Sequence, residues 1–165
     1  MLKLKSKDGL ITFLNEKDLI YISKFLSLSY FPLYTIEDRK VNEKEFSLSY
    51  LNDFTSNSDQ IVYLKLVSSE SSKALMLYRI EKKGNSYFIS FSIRRGDLGM
   101  KYLRHTLPLI NEYLVNLNPK EVLILVGRKD YQLQKLVIKA GYNNDIYNSS
   151  DTSFELFSLY GDIIK

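Results

Sequence analysis

Between residues 86 and 126 the sequence changes its period twice. "SYFISFSI" (86–93) alternates apolar and polar side chains as a strand does, and "RRGDLG" (94–99) interrupts that alternation with two arginines and two glycines. Met100, Leu103, Leu107, Ile110, Leu114 and Leu117 then recur at intervals of three and four, the stripe of an amphipathic helix. "EVLILV" (121–126) follows, apolar at five consecutive positions, the pattern of a strand buried on both faces. Strand, helix and buried strand in that order predict a βαβ unit with its two strands parallel. The spacing also predicts a kink or a division of the helix near Arg104, because Pro108 cannot donate a hydrogen bond to that carbonyl.

Around this unit the chain reads as one compact run of elements, with no internal repeat and no Pro- or Gly-rich linker. A strand is predicted over Leu10 to Leu14. A helix then starts near Asn15, with Asp18 three residues on and Leu19, Ile22 and Leu26 along one face. A second helix starts near Asn42, with Glu45 in a capping-box position and Phe46, Tyr50 and Phe54 at helical spacing, and a loop broken by Pro32 lies between the two. "QIVYLKLV" (60–67), "KALMLYRIE" (73–81) and "SYFISFSI" are separated by turns of hairpin length and predict an antiparallel meander. Beyond the buried strand, Leu133, Leu136, Val137 and Ala140 share a helix face that stops at Gly141, and two strands, about 142–147 and 153–160, flank "SSDT". The expected order is β α α β β β α β α β β, an α/β fold with a mixed sheet, in a single domain spanning residues 1–165.

Composition closes off several chemistries. The chain has no Cys and a single His, so a disulfide, a thiolate nucleophile, a thiolate zinc site and a histidine pair are all excluded. Its apolar runs are too short to span a bilayer and its N-terminus has no signal-peptide core, which predicts a soluble, cytoplasmic protein without a membrane partner. A net charge of +4 is too small and scattered to mark a nucleic-acid partner, a reading that would rest on composition alone.

Charge location says more. Arg94, Arg95, Lys101 and Arg104 cluster where a helix would present N–H groups that have no partner in the first turn, an arrangement suited to an anion such as a phosphate. Gly96 and Gly99 would let a ligand approach the backbone closely. The plainer alternative is a solvated arginine pair at a strand end and a glycine that serves a tight turn. Asp97 works against the anion: as an N-cap its carboxylate would bond the same amides and repel negative charge, unless it turns outward.

The element order and two local motifs resemble the GNAT superfamily of N-acetyltransferases. Arg94-Arg95-Gly96-Asp97-Leu98-Gly99 is similar to that family's Gln/Arg-x-x-Gly-x-Gly/Ala motif, with Asp97 where the first glycine belongs. "LVGRKDYQLQKLVIKAGY" keeps the spacing of a second motif, with Asp130 at its Asn position, Val137 at its Tyr position and Gly141-Tyr142 at its Gly-Phe. The resemblance covers the whole chain as an order of elements and residues 86–142 as motifs.

It implies acetyl-CoA as co-substrate and direct attack of an amine, on a small molecule or a peptide, on the acetyl thioester. The diphosphate would sit at Arg94, Arg95, Gly96, Asp97, Leu98, Gly99 and Met100, with Asp130 nearby. The pantetheine arm would run along Phe91, Ser92 and Ile93, where small Ser90 and Ser92 leave room. Val137 cannot protonate the departing thiolate as the family's tyrosine does, so Tyr131 is the substitute donor to test. No base is assigned: Glu70, Glu81 and His105 are the titratable groups at hand, and His105 lies off the helix stripe and reads as surface. Asp97 and Val137 together keep open a second alternative, a GNAT-like module that binds without turnover. The family pairs subunits in several ways, which leaves the oligomeric state, a homodimer included, undetermined.

Overall fold

The computed structural model describes residues 2–15, 18, 29–30, 60–94, 97–144 and 154–160. Within them lie strands β1 (Leu4–Lys5), β2 (Gly9–Phe13), β3 (Ser29–Tyr30), β4 (Ile61–Ser68), β5 (Ala74–Lys83) and β6 (Ser86–Arg94). Helix α1 (Asp97–Val115), β7 (Glu121–Gly127), helix α2 (Tyr131–Lys139), β8 (Asn143–Asn144) and β9 (Phe154–Tyr160) complete them. The strands form one sheet in the order β1-β2-β4-β5-β6-β7-β9-β8, with β3 on β6. Every pairing is antiparallel except β6 with β7, so the βαβ unit read from the sequence is present with the expected strand direction.

The meander β4–β5–β6 has the predicted hairpins. Between β5 and β6 the chain reverses through Gly84 and Asn85, with Gly84 at φ 61°, a left-handed conformation that a first-position glycine adopts without strain. Between β4 and β5 the Ser68 hydroxyl accepts from the amides of Glu70 and Ser71 and holds the longer turn. At the first predicted helix start, the Asn15 amide donates to the Asp18 carboxylate at 2.7 Å, one half of a capping box. The two helices expected from Asn15 and Asn42, and the turn around "SSDT", otherwise lie outside the described residues.

One face of the sheet carries the core. Met76, Tyr78 and Ile80 on β5, Ile89, Phe91 and Ile93 on β6, and Val122, Ile124 and Val126 on β7 meet Leu103, Leu107, Ile110 and Leu114 of α1 and Leu133, Leu136 and Val137 of α2. Burying one such side chain contributes roughly 1.5–3 kcal/mol. Two buried hydrogen bonds brace α1 against this layer: the Tyr78 and Thr106 hydroxyls lie 2.6 Å apart, and the Tyr142 hydroxyl donates to Asn111 Oδ1 at 2.6 Å. Burial raises the pKa of both tyrosines, so both stay neutral. Tyr142 reaches its partner because α2 ends in a Schellman turn, with Tyr142 N–H bonded to Val137 C=O, Gly141 N–H to Ile138 C=O, and Gly141 at φ 104°.

Two expectations need correction. Pro108 does not divide α1, which runs unbroken from Asp97 to Val115. Pro108 and Arg104 are both exposed, so the carbonyl that loses its partner faces water. His105 is not a free surface residue: its Nδ1 lies 2.6 Å from Asp8 Oδ2, and Lys101 Nζ is 3.6 Å from the other oxygen of the same carboxylate. Asp8 sits in the β1–β2 turn and clasps that hairpin to the first half of α1. Among the described residues no helix is long and apolar enough to cross a membrane.

Leu107 is fully buried and Leu117, past the end of α1, is half exposed, although both belong to the sequence stripe. Leu107→Ala is expected to cost about 2–5 kcal/mol in chemical denaturation, and Leu117→Ala less than about 0.5 kcal/mol.

Candidate functional site

The site follows from how β6 uses its two edges. Along one edge β5 accompanies it from Ser86 to Ile93. Along the other, β7 pairs only from Ser86↔Glu121 to Ile89↔Ile124 and then diverges, while β9 follows β7 to its last residue, Gly127. Ile93 pairs with Met76 on one side, so its second partner, Tyr30 of β3, lies on the β7 side. Between β7 below and β3 above, residues 90–92 have no strand partner on that edge among the described residues. Ser90, Phe91 and Ser92 are nonetheless buried. Buried backbone groups without partners are costly, which makes this window a place for an extended ligand to add its own amides.

The side chains agree. Phe91 and Ile93 point into the core, leaving only their backbone to a ligand. Ser90 and Ser92 point to the opposite face, at 3% and 0% exposure, and neither hydroxyl has a hydrogen-bond partner among the described residues. A buried serine hydroxyl normally finds one.

Two helix N-termini open at this end of the sheet, and they differ. At α2 the protein fills the end itself: Asp130 is the N-cap, its Oδ1 accepting from Leu133 N–H at 3.2 Å, and Gln134 Nε2 donates to the carbonyls of Gly127 and Arg128. At α1 Asp97 is the first helical residue rather than the cap, it is exposed, and among the described residues its carboxylate makes no hydrogen bond. The amides of the first turn of α1 are therefore not taken up by Asp97. Gly99 is buried behind it, Met100 is half-buried and Leu98 is exposed. Arg94 ends β6 opposite Ser29, its side chain is not described, and Arg95 and Gly96 lie outside the described residues. Tyr131, the first residue of α2, is 67% exposed, and Val137 is fully buried in the core.

Sequence reading missed a polar row on the face opposite the helices. Tyr63 of β4 pairs with Arg79 of β5, which pairs with Ser90 of β6. Arg79 Nε donates to the Tyr63 hydroxyl at 3.1 Å and Nη1 to Glu81 Oε2 at 3.0 Å. Burial opposes the Arg79 charge, but the attraction of Tyr63 and Glu81 and the hydrogen bonds to them outweigh it, so the guanidinium pKa is raised. Lys65 and Asp18 form a 2.7 Å ion pair on the same face. The alternation of β4 and β5 marked these positions as polar, but only the register brings them into line with Ser90.

No protein-family model and no curated protein matches the sequence. Solved structures do match in shape. The ribosomal-protein-S5-alanine acetyltransferase of Vibrio fischeri superposes with a TM-score of 0.71 at 10% identity, over 100% of each chain. An acetyltransferase of the GNAT family from Bacillus anthracis gives 0.70 at 11% identity, over 98% of this chain and 99% of its own. The spermidine N-acetyltransferase of Vibrio cholerae, in complex with CoA and spermine, gives 0.69 at 11% identity, over 92% and 95%. The chain therefore has the GNAT fold.

A buried hydroxyl without a partner costs roughly 1–3 kcal/mol. Ser90→Ala and Ser92→Ala are accordingly expected to leave the thermal midpoint of the ligand-free protein unchanged or to raise it. A clear loss of stability in both would mean that these hydroxyls are already bonded in the free protein.

Proposed function

We propose that this protein transfers an acetyl group from acetyl-CoA to a primary amine. The observation that carries the reading is the stretch of β6 at residues 90–92, which among the described residues has no strand partner on its β7 side and is lined by two buried hydroxyls without a hydrogen-bond partner, followed by a helix whose first turn Asp97 does not cap. The residues suit acetyl-CoA in kind: a strand edge with no strand partner at 90–92 among the described residues for the amides of a pantetheine arm, small serines that leave it room, and helix amides that Asp97 does not take, with arginines before them in the sequence, for a diphosphate. When bound, acetyl-CoA supplies an activated acyl carbon and a thiol leaving group. The chain's part is to hold that thioester extended along β6 and to present the amine to it, gaining rate mostly from position. The structural neighbours named for their acceptors act on a ribosomal-protein alanine and on spermidine, which supports an amine acceptor in general.

Val137 favours a second reading, a binding module without turnover, because an apolar side chain fully buried in the core cannot deliver a proton to the thiolate. General-acid help is typically worth ~10²–10⁴-fold, so its loss at this position slows transfer without forbidding it. Acetyl-CoA binding with no thiol release, against every amine tried, would favour the module.

Titration with acetyl-CoA is expected to raise the thermal midpoint, with a stabilisation of about 2.7 kcal/mol when ligand reaches a hundred times its Kd. No shift at millimolar acetyl-CoA rejects the reading. Ser92→Ala is expected to diminish the ligand-induced shift even as the free protein holds or gains stability. Asp97→Asn, which removes an exposed negative charge beside the diphosphate, is expected to tighten binding by about 3- to 10-fold at low ionic strength, and the gain shrinks as salt is added.

A further inference from the structure

Resting on the acetyl-transfer reading, we infer that Asp8 is a positioning residue for the diphosphate of acetyl-CoA: from the β1–β2 turn it fixes the roll of α1, and with it the aim of the amides in that helix's first turn. The turn is itself firmly held. Ser6 N–H donates to the Gly9 carbonyl at 2.8 Å and Asp8 N–H to the Ser6 hydroxyl at 3.3 Å, and β2 runs so close to β4 that a side chain at Gly9 would meet the Val67 carbonyl. From this base the Asp8 carboxylate, 9% exposed, reaches His105 Nδ1 at 2.6 Å across a sequence separation of 97 residues. Lys101 adds less, since its ammonium is half exposed and 3.6 Å away.

Leu103, Leu107 and Ile110 draw α1 onto the sheet, but apolar attraction has no preferred direction, whereas a hydrogen bond has a length and an angle. The Thr106 hydroxyl, 2.6 Å from that of Tyr78, holds the helix from the core side, and His105, the residue before it, lies about 100° round the helix axis. Two grips on one turn from two directions fix a roll that either alone leaves free. The first turn of α1 begins about two turns before His105 on the same helix, so the roll is carried to it. A roll of about 20° moves backbone atoms at the helix radius of about 2.3 Å by roughly 0.8 Å, enough to take an N–H···O bond of about 2.9 Å out of range. The clasp therefore acts on the diphosphate through the helix and touches no ligand itself.

The test is calorimetric titration of acetyl-CoA into the full chain and its variants Asp8→Asn, Asp8→Ala and His105→Ala. Asp8→Asn and Asp8→Ala remove the same charge, so any effect of that charge on the diphosphate is common to both. They differ in geometry: the asparagine amide both donates and accepts and so meets His105 Nδ1 in either tautomer, whereas alanine meets nothing. Asp8→Ala is expected to bind acetyl-CoA about 3- to 30-fold more weakly than Asp8→Asn. His105→Ala is expected to lose affinity as Asp8→Ala does, and the double variant to bind no more weakly than the weaker single one, because both break one clasp. A merely structural role lowers the thermal midpoint and the fraction of chains that bind, and leaves the Kd of the folded fraction unchanged. Kd values for Asp8→Ala and Asp8→Asn within about threefold of each other overturn the inference and leave the acetyl-transfer reading standing. Should Asp8→Ala fail to fold, a His105→Ala Kd within about threefold of the parent overturns it in the same way. Failure of the parent protein to bind acetyl-CoA overturns both.

Discussion

Everything at the candidate site depends on β6 and β7 ceasing to pair after Ile124. Each strand keeps its other neighbour to the end, β5 for β6 and β9 for β7, so neither is free to follow the other as the sheet twists. The parting is therefore built into the sheet and needs no ligand to hold it open. Its energetic consequence is local. The hydroxyls of Ser90 and Ser92 are withdrawn from water with no hydrogen-bond partner among the described residues, a deficit that a bound chain with its own donors and acceptors can relieve.

The position of this edge is fixed because its other side is firmly packed. Phe91 and Ile93 are locked into the layer that Leu103, Leu107 and Ile110 cover, and the Phe91 ring meets Tyr78 edge to face with centroids 6.5 Å apart. Tyr78 in turn is tied to Thr106, whose hydroxyl also lies 2.8 Å from the Tyr102 carbonyl. The Asp8 carboxylate adds a second clasp on the same half of the helix, bridging Lys101 and His105, the residues just before Tyr102 and Thr106. Helix α1 is thereby fixed to the sheet along the half that faces the site, and its first turn is presented in one orientation rather than several. That rigidity is what a site relying on position requires.

The sequence announced what periodicity can announce. The strand-helix-strand unit, the meander and the Gly141 stop are long or chemically marked, and each is present in the structure. β1 and β3 are two residues each, too short to show a period, yet β3 closes the upper end of the β6 window. Register was equally silent. Tyr63, Arg79 and Ser90 are separated by sixteen and eleven residues in the chain and become neighbours only through β4–β5 and β5–β6 pairing. His105 looked like surface because its partner lies 97 residues away in a turn, and Pro108 looked like a break because the sequence does not say which side of a helix meets water. The role of Asp97 had the same character: cap or first helical residue, two outcomes with opposite meaning for an anionic ligand, decided by where the helix begins.

That placement resolves an apparent conflict between helix and ligand. As an N-cap, Asp97 would have stabilised α1 by occupying the amides an anion needs. As the first helical residue it still opposes the positive end of the helix dipole, worth about 0.3–1 kcal/mol for a well-placed surface carboxylate, while its oxygens leave those amides alone. Its remaining effect on a diphosphate is repulsion through solvent, which is screened and weak beside hydrogen bonds from oriented backbone donors. Lys101, one turn on and half exposed, lies on the same flank and offsets part of that charge. A glycine at this position would remove the repulsion but would also cost helix stability relative to a side-chain-bearing residue, at the point where α1 must begin without a carboxylate cap from Asp97. Under the proposed reading, Asp97 thus trades a small electrostatic penalty on an anionic ligand for a helix start whose amides its own carboxylate does not occupy.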